Sequence, residues 1–169
     1  LISAYSIPTR SMESTLLVGD VVLAEKVSPL IGRPYQAGDL VLFTPPEKLQ
    51  QLVTSAGGKQ LGSRDTFVKR VAAVGGDTVE LLPNGRIAVN GVTQPPPPLA
   101  CEIDTSKLDK EDEPLESIRK VVPKGTVFVL GDCPARSTDS RKWGPLPTGN
   151  VVAKPVVRVW PLGRQGAIE

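Results

Sequence analysis

Four times a Gly-Asp pair reads as a turn followed by an apolar strand, at Gly19-Asp20, Gly38-Asp39, Gly76-Asp77 and Gly131-Asp132. Glycine frees the backbone to turn, and the aspartate carboxylate hydrogen-bonds the turn it sits in. A chain interrupted this often cannot sustain long helices. The runs between the pairs are short and β-branched: Val21-Val22-Leu23-Ala24, Leu40-Val41-Leu42-Phe43, Phe67 to Val74, Thr126 to Leu130. Strands joined by turns are the expected outcome. Residues 16–27 read as a strand, a turn at Gly19-Asp20 and a second strand. Val79 to Gly91 reads as a hairpin around Pro83-Asn84-Gly85. Val151 to Trp160 alternates and reads as a closing strand. Glycine (16) and proline (17) fall between these runs, so they punctuate strands and do not mark disorder. The expected fold is mostly β: an antiparallel, partly closed, β-barrel-like core with little helix.

The connections differ in character. Ser28 to Ala37 carries Pro29, Gly32 and Pro34 and reads as a loop. Pro45 to Asp65 is a long polar connection, with a helical turn or two over Glu47 to Val53; such connections usually carry function. Pro95 to Pro98 is a stiff, extended run. Residues 101–120 are crowded with charge and poor in large apolar side chains, which suits a solvated insertion. The tail from Pro161 is expected to fray.

Composition narrows the chemistry. The 169 residues make one domain, or a core with an insertion. Lys and Arg (20) nearly balance Asp and Glu (18), and the net charge of +2 is spread along the chain. No concentrated basic face is available for nucleic acid. There is no histidine. That absence removes Ser-His-Asp and Cys-His catalysis and most catalytic zinc sites. Proton transfer near neutral pH then falls to Lys, a carboxylate, Tyr or Cys. Cys101 and Cys133 lack metal-site spacing; they pair in an oxidising compartment, or they stay as free thiols. No apolar run reaches the ~18 residues of a membrane-spanning helix. The chain opens at Leu1-Ile2 without a methionine, and the expectation is a trimmed soluble piece of something longer.

A serine and a lysine then stand out. Ser11 lies between small polar residues in Ile7-Pro8-Thr9-Arg10-Ser11-Met12-Glu13-Ser14-Thr15-Leu16. Lys69 interrupts the apolar strand Phe67-Val68-Lys69-Arg70-Val71. A serine hydroxyl is a weak nucleophile and needs a base. With no histidine, the candidate base is a lysine whose ammonium loses hydration among apolar neighbours, which favours the neutral amine. Arg70 should point to the opposite face by the period of two. Taken alone the pairing is weak, because lysines in apolar strands often snorkel.

Ordered blocks strengthen it. Ser11-Met12-Glu13-Ser14-Thr15-Leu16, Gly19-Asp20 through Lys26, Gly38-Asp39-Leu40-Val41-Leu42-Phe43, Lys69-Arg70-Val71-Ala72-Ala73-Val74-Gly75-Gly76-Asp77 and Gly131 to Pro147 resemble, in order and spacing, the type I signal peptidases (leader peptidases), which are membrane-bound Ser-Lys endopeptidases. Trp143-Gly144-Pro145-Leu146-Pro147 is similar to their plastid and cyanobacterial branch. The resemblance implies that Ser11 is the nucleophile and Lys69 the general base. Thr9 falls where a hydroxyl residue helps the Ser11 N–H form an oxyanion hole, and Ser137 where a hydroxyl orients the lysine amine. Asp139 and Arg141 match an ion pair that supports this loop, and Met12 a residue packed beside the nucleophile. Ser14 stands in place of the usual proline. Cys133 stands in place of the usual asparagine, so hydrogen bonds in that loop are lost or rerouted; if Cys133 pairs with Cys101, the disulfide would replace them and tie the insertion to the catalytic loop.

The same resemblance implies no metal and no cofactor. It implies a catalytic core of residues 1–78 plus 122–169 and an insertion over 79–121. Substrates would be precursor proteins carrying signal peptides, cut after small-x-small motifs typified by Ala-x-Ala. The catalytic domain would lie in the thylakoid lumen or periplasm, anchored by a membrane helix that precedes Leu1 and is missing from this chain. Leu1, Ile2, Tyr5, Ile7 and Trp160 would meet a bilayer surface or pack internally. Two other classes compete: a self-cleaving Ser-Lys repressor-type peptidase and a non-catalytic binding protein on the same scaffold. The first would need an internal Ala-Gly cleavage site and usually a DNA-binding domain.

Overall fold

Short apolar runs become antiparallel strands in the computed structural model, which describes residues 1–82, 85–103 and 118–168. The strands are β1 (Ile2–Ser6), β2 (Val21–Glu25), β3 (Leu40–Phe43), β4 (Phe67–Val74), β5 (Thr78–Leu81), β6 (Ile87–Val89), β7 (Val92–Thr93), β8 (Ile118–Val121), β9 (Thr126–Leu130), β10 (Leu146–Pro147), β11 (Val151–Trp160) and β12 (Gly166–Ala167). Three helices are short: α1 (Val27–Leu30), α2 (Glu47–Ser55) and α3 (Ser140–Trp143).

One sheet runs β1-β2-β11-β3-β4-β9-β10, with β12 added to β11. A smaller sheet runs β7-β6-β5-β8. Every pairing among the described strands is antiparallel. The mostly-β, antiparallel expectation holds.

The large sheet carries apolar cores on both faces. All of β3 is buried, because alternate residues feed opposite cores. Val41 and Phe43 pack with Val71, Val129 and Trp143. Leu40 packs with Ile7, Met12, Leu16 and Val22. A strand buried on both faces reads as an unbroken apolar run, and Leu-Val-Leu-Phe is one.

Three of the four Gly-Asp pairs act as the sequence implies. Gly19, Gly38 and Gly76 have φ of 89°, 96° and 98°, where a side chain is strained. The aspartate that follows accepts an N–H three residues back: Leu17 to Asp20 (2.9 Å), Gln36 to Asp39 (3.1 Å) and Val74 to Asp77 (2.9 Å). Each pair launches a strand. Gly131-Asp132 differs. It follows β9, launches no strand, and opens the loop that carries Ser137.

Several local expectations change. Leu16 to Val18 is not a strand. Residues 11–15 form a run of turns, with Leu16 N–H on the Met12 carbonyl at 2.8 Å. β1 was not marked by the sequence pattern, because Ile2, Ala4 and Ser6 are exposed on an edge strand. The tail does not fray. It forms a 3-10 turn at Leu162–Arg164 and pairs through β12 with β11. The hairpin expected over 79–91 is present, with Leu81 opposite Ile87 and its second strand ending at Val89; Pro83 and Asn84 lie outside the described residues, as does most of the charged stretch, residues 104–117. Cys101 and Cys133 are joined as a disulfide, 32 residues apart in sequence. Ile7 is buried, while Leu1, Ile2 and Trp160 are exposed.

Candidate active site

Ser11 sits on the long loop joining β1 to β2. The neck of that loop is closed by Ile7 N–H on the Asp20 carbonyl and Gly19 N–H on the Ile7 carbonyl, each at 2.9 Å. Ile7, Met12 and Leu16 drop into the core and anchor it from within. Met12, 1% exposed, and Ser11 line the same cavity. Ser14 adopts φ of 75° without being glycine. That left-handed conformation costs roughly 1–2 kcal/mol for a residue with a Cβ, and a proline there would be locked out of it.

Lys69 projects from β4. β3 pairs with Phe67 to Arg70 on one side, whereas β9 begins its pairing only at Arg70, opposite Leu130. Residues 67–69 consequently have an open edge where β9 has ended. Ser11 reaches this place: Lys69 Nζ and Ser11 Oγ are 2.6 Å apart. β2 and β4 are separated in the sheet by β11 and β3, which in a flat sheet would put them about 14 Å apart. Contact between their elements requires the sheet to curl.

Both groups are buried, Lys69 to 3% and Ser11 to 5% exposure. Burial pushes the Lys69 amine down to about 8, against a smaller upward pull from Asp139 and Asp132. Among the described residues, Ser11 Oγ is the one hydrogen-bond partner of Lys69. An ammonium with three N–H groups is poorly served there, and a neutral amine can accept the serine proton. Thr9 Oγ1 lies 3.3 Å from Ser11 Oγ on the exposed side. The Ser11 N–H donates to no backbone acceptor among the described residues. A cavity of about 180 Å³ adjoins the pair, lined in part by Ile7, Met12, Leu42, Phe67 and Val68.

The loop after β9 closes the site. Asp139 is wholly buried and accepts from Gly131 N–H (3.0 Å), Ser137 Oγ (2.7 Å) and the Arg141 guanidinium (2.8 and 2.9 Å). Burial pushes its carboxyl up, but the Arg141 hydrogen bonds and charge, with Gly131 and Ser137, outweigh it and hold the group below its usual range. Ser137 therefore spends its proton on Asp139; among the described residues no hydrogen bond joins it to Lys69. Gly131 is glycine for want of room. A Cβ there would lie 2.2 Å from Ser137 Oγ and 2.5 Å from the Ser11 carbonyl oxygen. Cys133 N–H donates to that same Ser11 carbonyl at 3.0 Å, so the disulfide-bonded residue touches the backbone of Ser11 itself.

A second ionic cluster escaped the sequence reading. Arg70 holds Asp132 with two hydrogen bonds (2.9 and 2.8 Å), and Thr15 Oγ1 donates to Asp132 at 2.6 Å. Lys69 and Arg70, neighbours on one strand, thus both reach the Ser11 loop. Glu13 bridges Arg10 and Arg136 across the same two loops. The Gly-Asp at 131 could have flagged Asp132, but it carried the meaning of a strand-launching turn. A cluster of Glu13, Cys101 and Cys133 has the donor types for a metal, yet both sulfurs are spent in the disulfide.

A family model described as signal peptidase, peptidase S26, matches residues 1–160. The chain belongs to that family. Among the relatives of this chain, the probable thylakoidal processing peptidase 2, chloroplastic, of Arabidopsis thaliana is 40% identical over 156 residues, which cover 92% of this chain and 37% of the relative. The probable signal peptidase I-1 of Synechocystis is 39% identical over 162 residues, 96% of this chain and 73% of that one. The signal peptidase I of Leptolyngbya laminosa is 35% identical over 165 residues, 98% and 72%. The chain spans about two fifths of the Arabidopsis relatives it matches, 37% and 41%. Among the described residues no helix is long and apolar enough to cross a membrane.

Proposed function

We propose that this chain is the catalytic part of a signal peptidase that removes signal peptides from precursor proteins, using Ser11 and Lys69 as nucleophile and base. The observation that carries the reading is the buried 2.6 Å pair with its lysine brought down to about 8. Neutral Lys69 takes the Ser11 proton as Oγ bonds to the scissile carbonyl carbon. The Ser11 N–H and Thr9 Oγ1 receive the developing oxyanion. The Lys69 ammonium then returns the proton to the leaving amine as the C–N bond breaks. Lys69, neutral again, deprotonates a water that attacks the acyl-enzyme, and Ser11 regains its proton as the new carboxylic acid leaves. Ser137 acts through Asp139, holding the loop that walls the site.

Substrate would enter as an extended strand along the open edge of β4 at residues 67–69, where backbone pairing demands no particular sequence. The adjoining small apolar cavity favours small side chains, in keeping with a small-x-small motif such as Ala-x-Ala. Residues 79–121 are an insertion into a core of 1–78 plus 122–169, tied to it by the Cys101–Cys133 disulfide. The plastid and cyanobacterial relatives favour a membrane-associated enzyme whose catalytic domain faces the thylakoid lumen or periplasm, anchored by a segment outside this chain.

The test is cleavage of a precursor peptide containing Ala-x-Ala by wild type, Ser11→Ala and Thr9→Val. Ser11→Ala should reduce cleavage by about 10³-fold or more, and Thr9→Val should lower kcat by about 10²- to 10³-fold by removing one oxyanion donor. Cleavage by Ser11→Ala at the wild-type rate sinks the mechanism.

A further inference from the structure

We propose that Arg158 is a positioning residue for Ser11, gripping the nucleophile loop at the Thr15 carbonyl, with Asp20 and Arg164 holding Arg158 in place. The proposal rests on the Ser11–Lys69 reading. Arg158 lies on β11, at an irregularity in its pairing with β2 between Arg158 and Trp160. Its Nη1 donates to the Thr15 carbonyl oxygen at 2.9 Å. The same nitrogen lies 3.5 Å from Asp20 Oδ2, and its Nε donates to the Arg164 carbonyl. Arg164 Nη1 in turn donates to Asp20 Oδ1 at 2.9 Å. Asp20 is 1% exposed, and its Oδ2 also accepts the Leu17 N–H.

Asp20 thereby joins three things: the neck of the Ser11 loop, the strand β11 and the C-terminal tail. The tail is not an appendage. Through Arg164 and Arg158 it reaches the residue that follows Ser14.

That position needs an outside hold. Ser14 occupies left-handed backbone without being glycine, and such residues persist where their surroundings over-determine them. The next residue, Thr15, is fixed at all three polar groups: its N–H on the Met12 carbonyl (3.1 Å), its hydroxyl on Asp132 (2.6 Å) and its carbonyl by Arg158. The first bond is internal to the loop, and the second comes from the loop walling the site. Arg158 supplies the grip from the opposite end of the chain. A planar guanidinium can serve Thr15, Asp20 and Arg164 together; a lysine amine, a point charge, cannot match that fork. Displacing a nucleophile by about 1 Å can cost about a hundredfold in rate, and loosening the turn three residues after Ser11 is a route to such a displacement.

Steady-state cleavage of an Ala-x-Ala precursor peptide at 25 °C, alongside thermal unfolding, tests this with the whole chain. Arg158→Gln should lose about ten- to a hundredfold in kcat, with KM within about twofold and the protein fully folded at the assay temperature. Arg158→Lys should recover part of the loss. Adding Ser14→Gly to Arg158→Gln should also recover part, because glycine holds the left-handed turn without an external clamp. If Arg158→Gln folds poorly, Arg164→Gln gives the milder readout: a smaller fall in kcat at unchanged KM. Unchanged kcat in both arginine variants, or a loss that vanishes after correction for unfolded protein, overturns the proposal. Ser11→Ala separates the two levels. An inactive Ser11→Ala beside a fully active Arg158→Gln removes the positioning role alone, whereas an active Ser11→Ala removes the catalytic reading and this proposal with it.

Discussion

Asp139 and Lys69 are both almost wholly out of water, 0% and 3% exposed, yet the fold treats them in opposite ways. Asp139 receives backbone, hydroxyl and guanidinium donors on both oxygens. It stays a carboxylate despite its burial. Among the described residues Lys69 has one hydroxyl for company, and its pKa falls from 10.5 to about 8. A buried charge given a full set of partners becomes a fixed brace. A buried charge denied them leans toward its neutral form, and a neutral amine is what a serine lacking histidine requires. The fall corresponds to about 3 kcal/mol of disfavoured protonation.

Lys69→Met breaks the contrast most sharply. It should abolish peptide cleavage, by at least about 10³-fold, and yet raise stability at pH 7 by about 1–3 kcal/mol, because it removes an amine that is costly to bury in its charged form. Chemical denaturation with parallel activity assays reads both changes; a destabilised Lys69→Met would mean that the lysine is part of the framework. Asp139→Asn should do the reverse. It leaves Arg141 buried against a neutral amide and should cost about 3–5 kcal/mol of stability, with activity lost only as the loop loosens. An Asp139→Asn protein as stable as wild type would remove the brace from the comparison.

The pH profile sharpens the lysine half. Cleavage should rise with pH to a plateau above about 8, and at pH 6 should run at about a hundredth of that plateau. A flat rate from pH 6 to 9 contradicts a neutral-lysine base. Stability carries a matching sign. The unfolded lysine binds more protons between about pH 8 and 10.5, so Lys69 adds stability as pH rises through that window and exerts its full penalty below it. The smallest effect concerns the turn beside the pair. Ser14→Gly should stabilise the chain by about 1 kcal/mol by removing left-handed strain, measured as a shift in the denaturation midpoint, with little change in KM.

Much of this was legible in the residues because the physics is local. β4, β9 and β11 begin and end where their apolar runs do, and the turns at Gly19, Gly38 and Gly76 follow from two adjacent residues. Ser11 and Lys69 became a pair only through the absence of histidine and the order of the blocks. What stayed hidden depends on distant neighbours. Gly131 shares its dipeptide with the three strand-launching turns, but its reason is the approach of Ser137 and the Ser11 carbonyl, which no window of sequence contains. The Ser137 hydroxyl turns to Asp139 because that carboxylate is buried beside it. β1 lacks an apolar face to mark it, and the tail is ordered by Asp20, more than 140 residues away, through a 144-residue separation.

The Cys101–Cys133 bond has a topological consequence. It closes a covalent ring of main chain from 101 to 133, and Ser11 and Lys69 precede the ring while Asp139 and Arg141 follow it. A single cut by a contaminating protease anywhere between 102 and 132 therefore opens the ring without parting the molecule. Such nicked material would migrate as one species without reductant and as two fragments with it, and both sides of the cleft would remain tethered to each other.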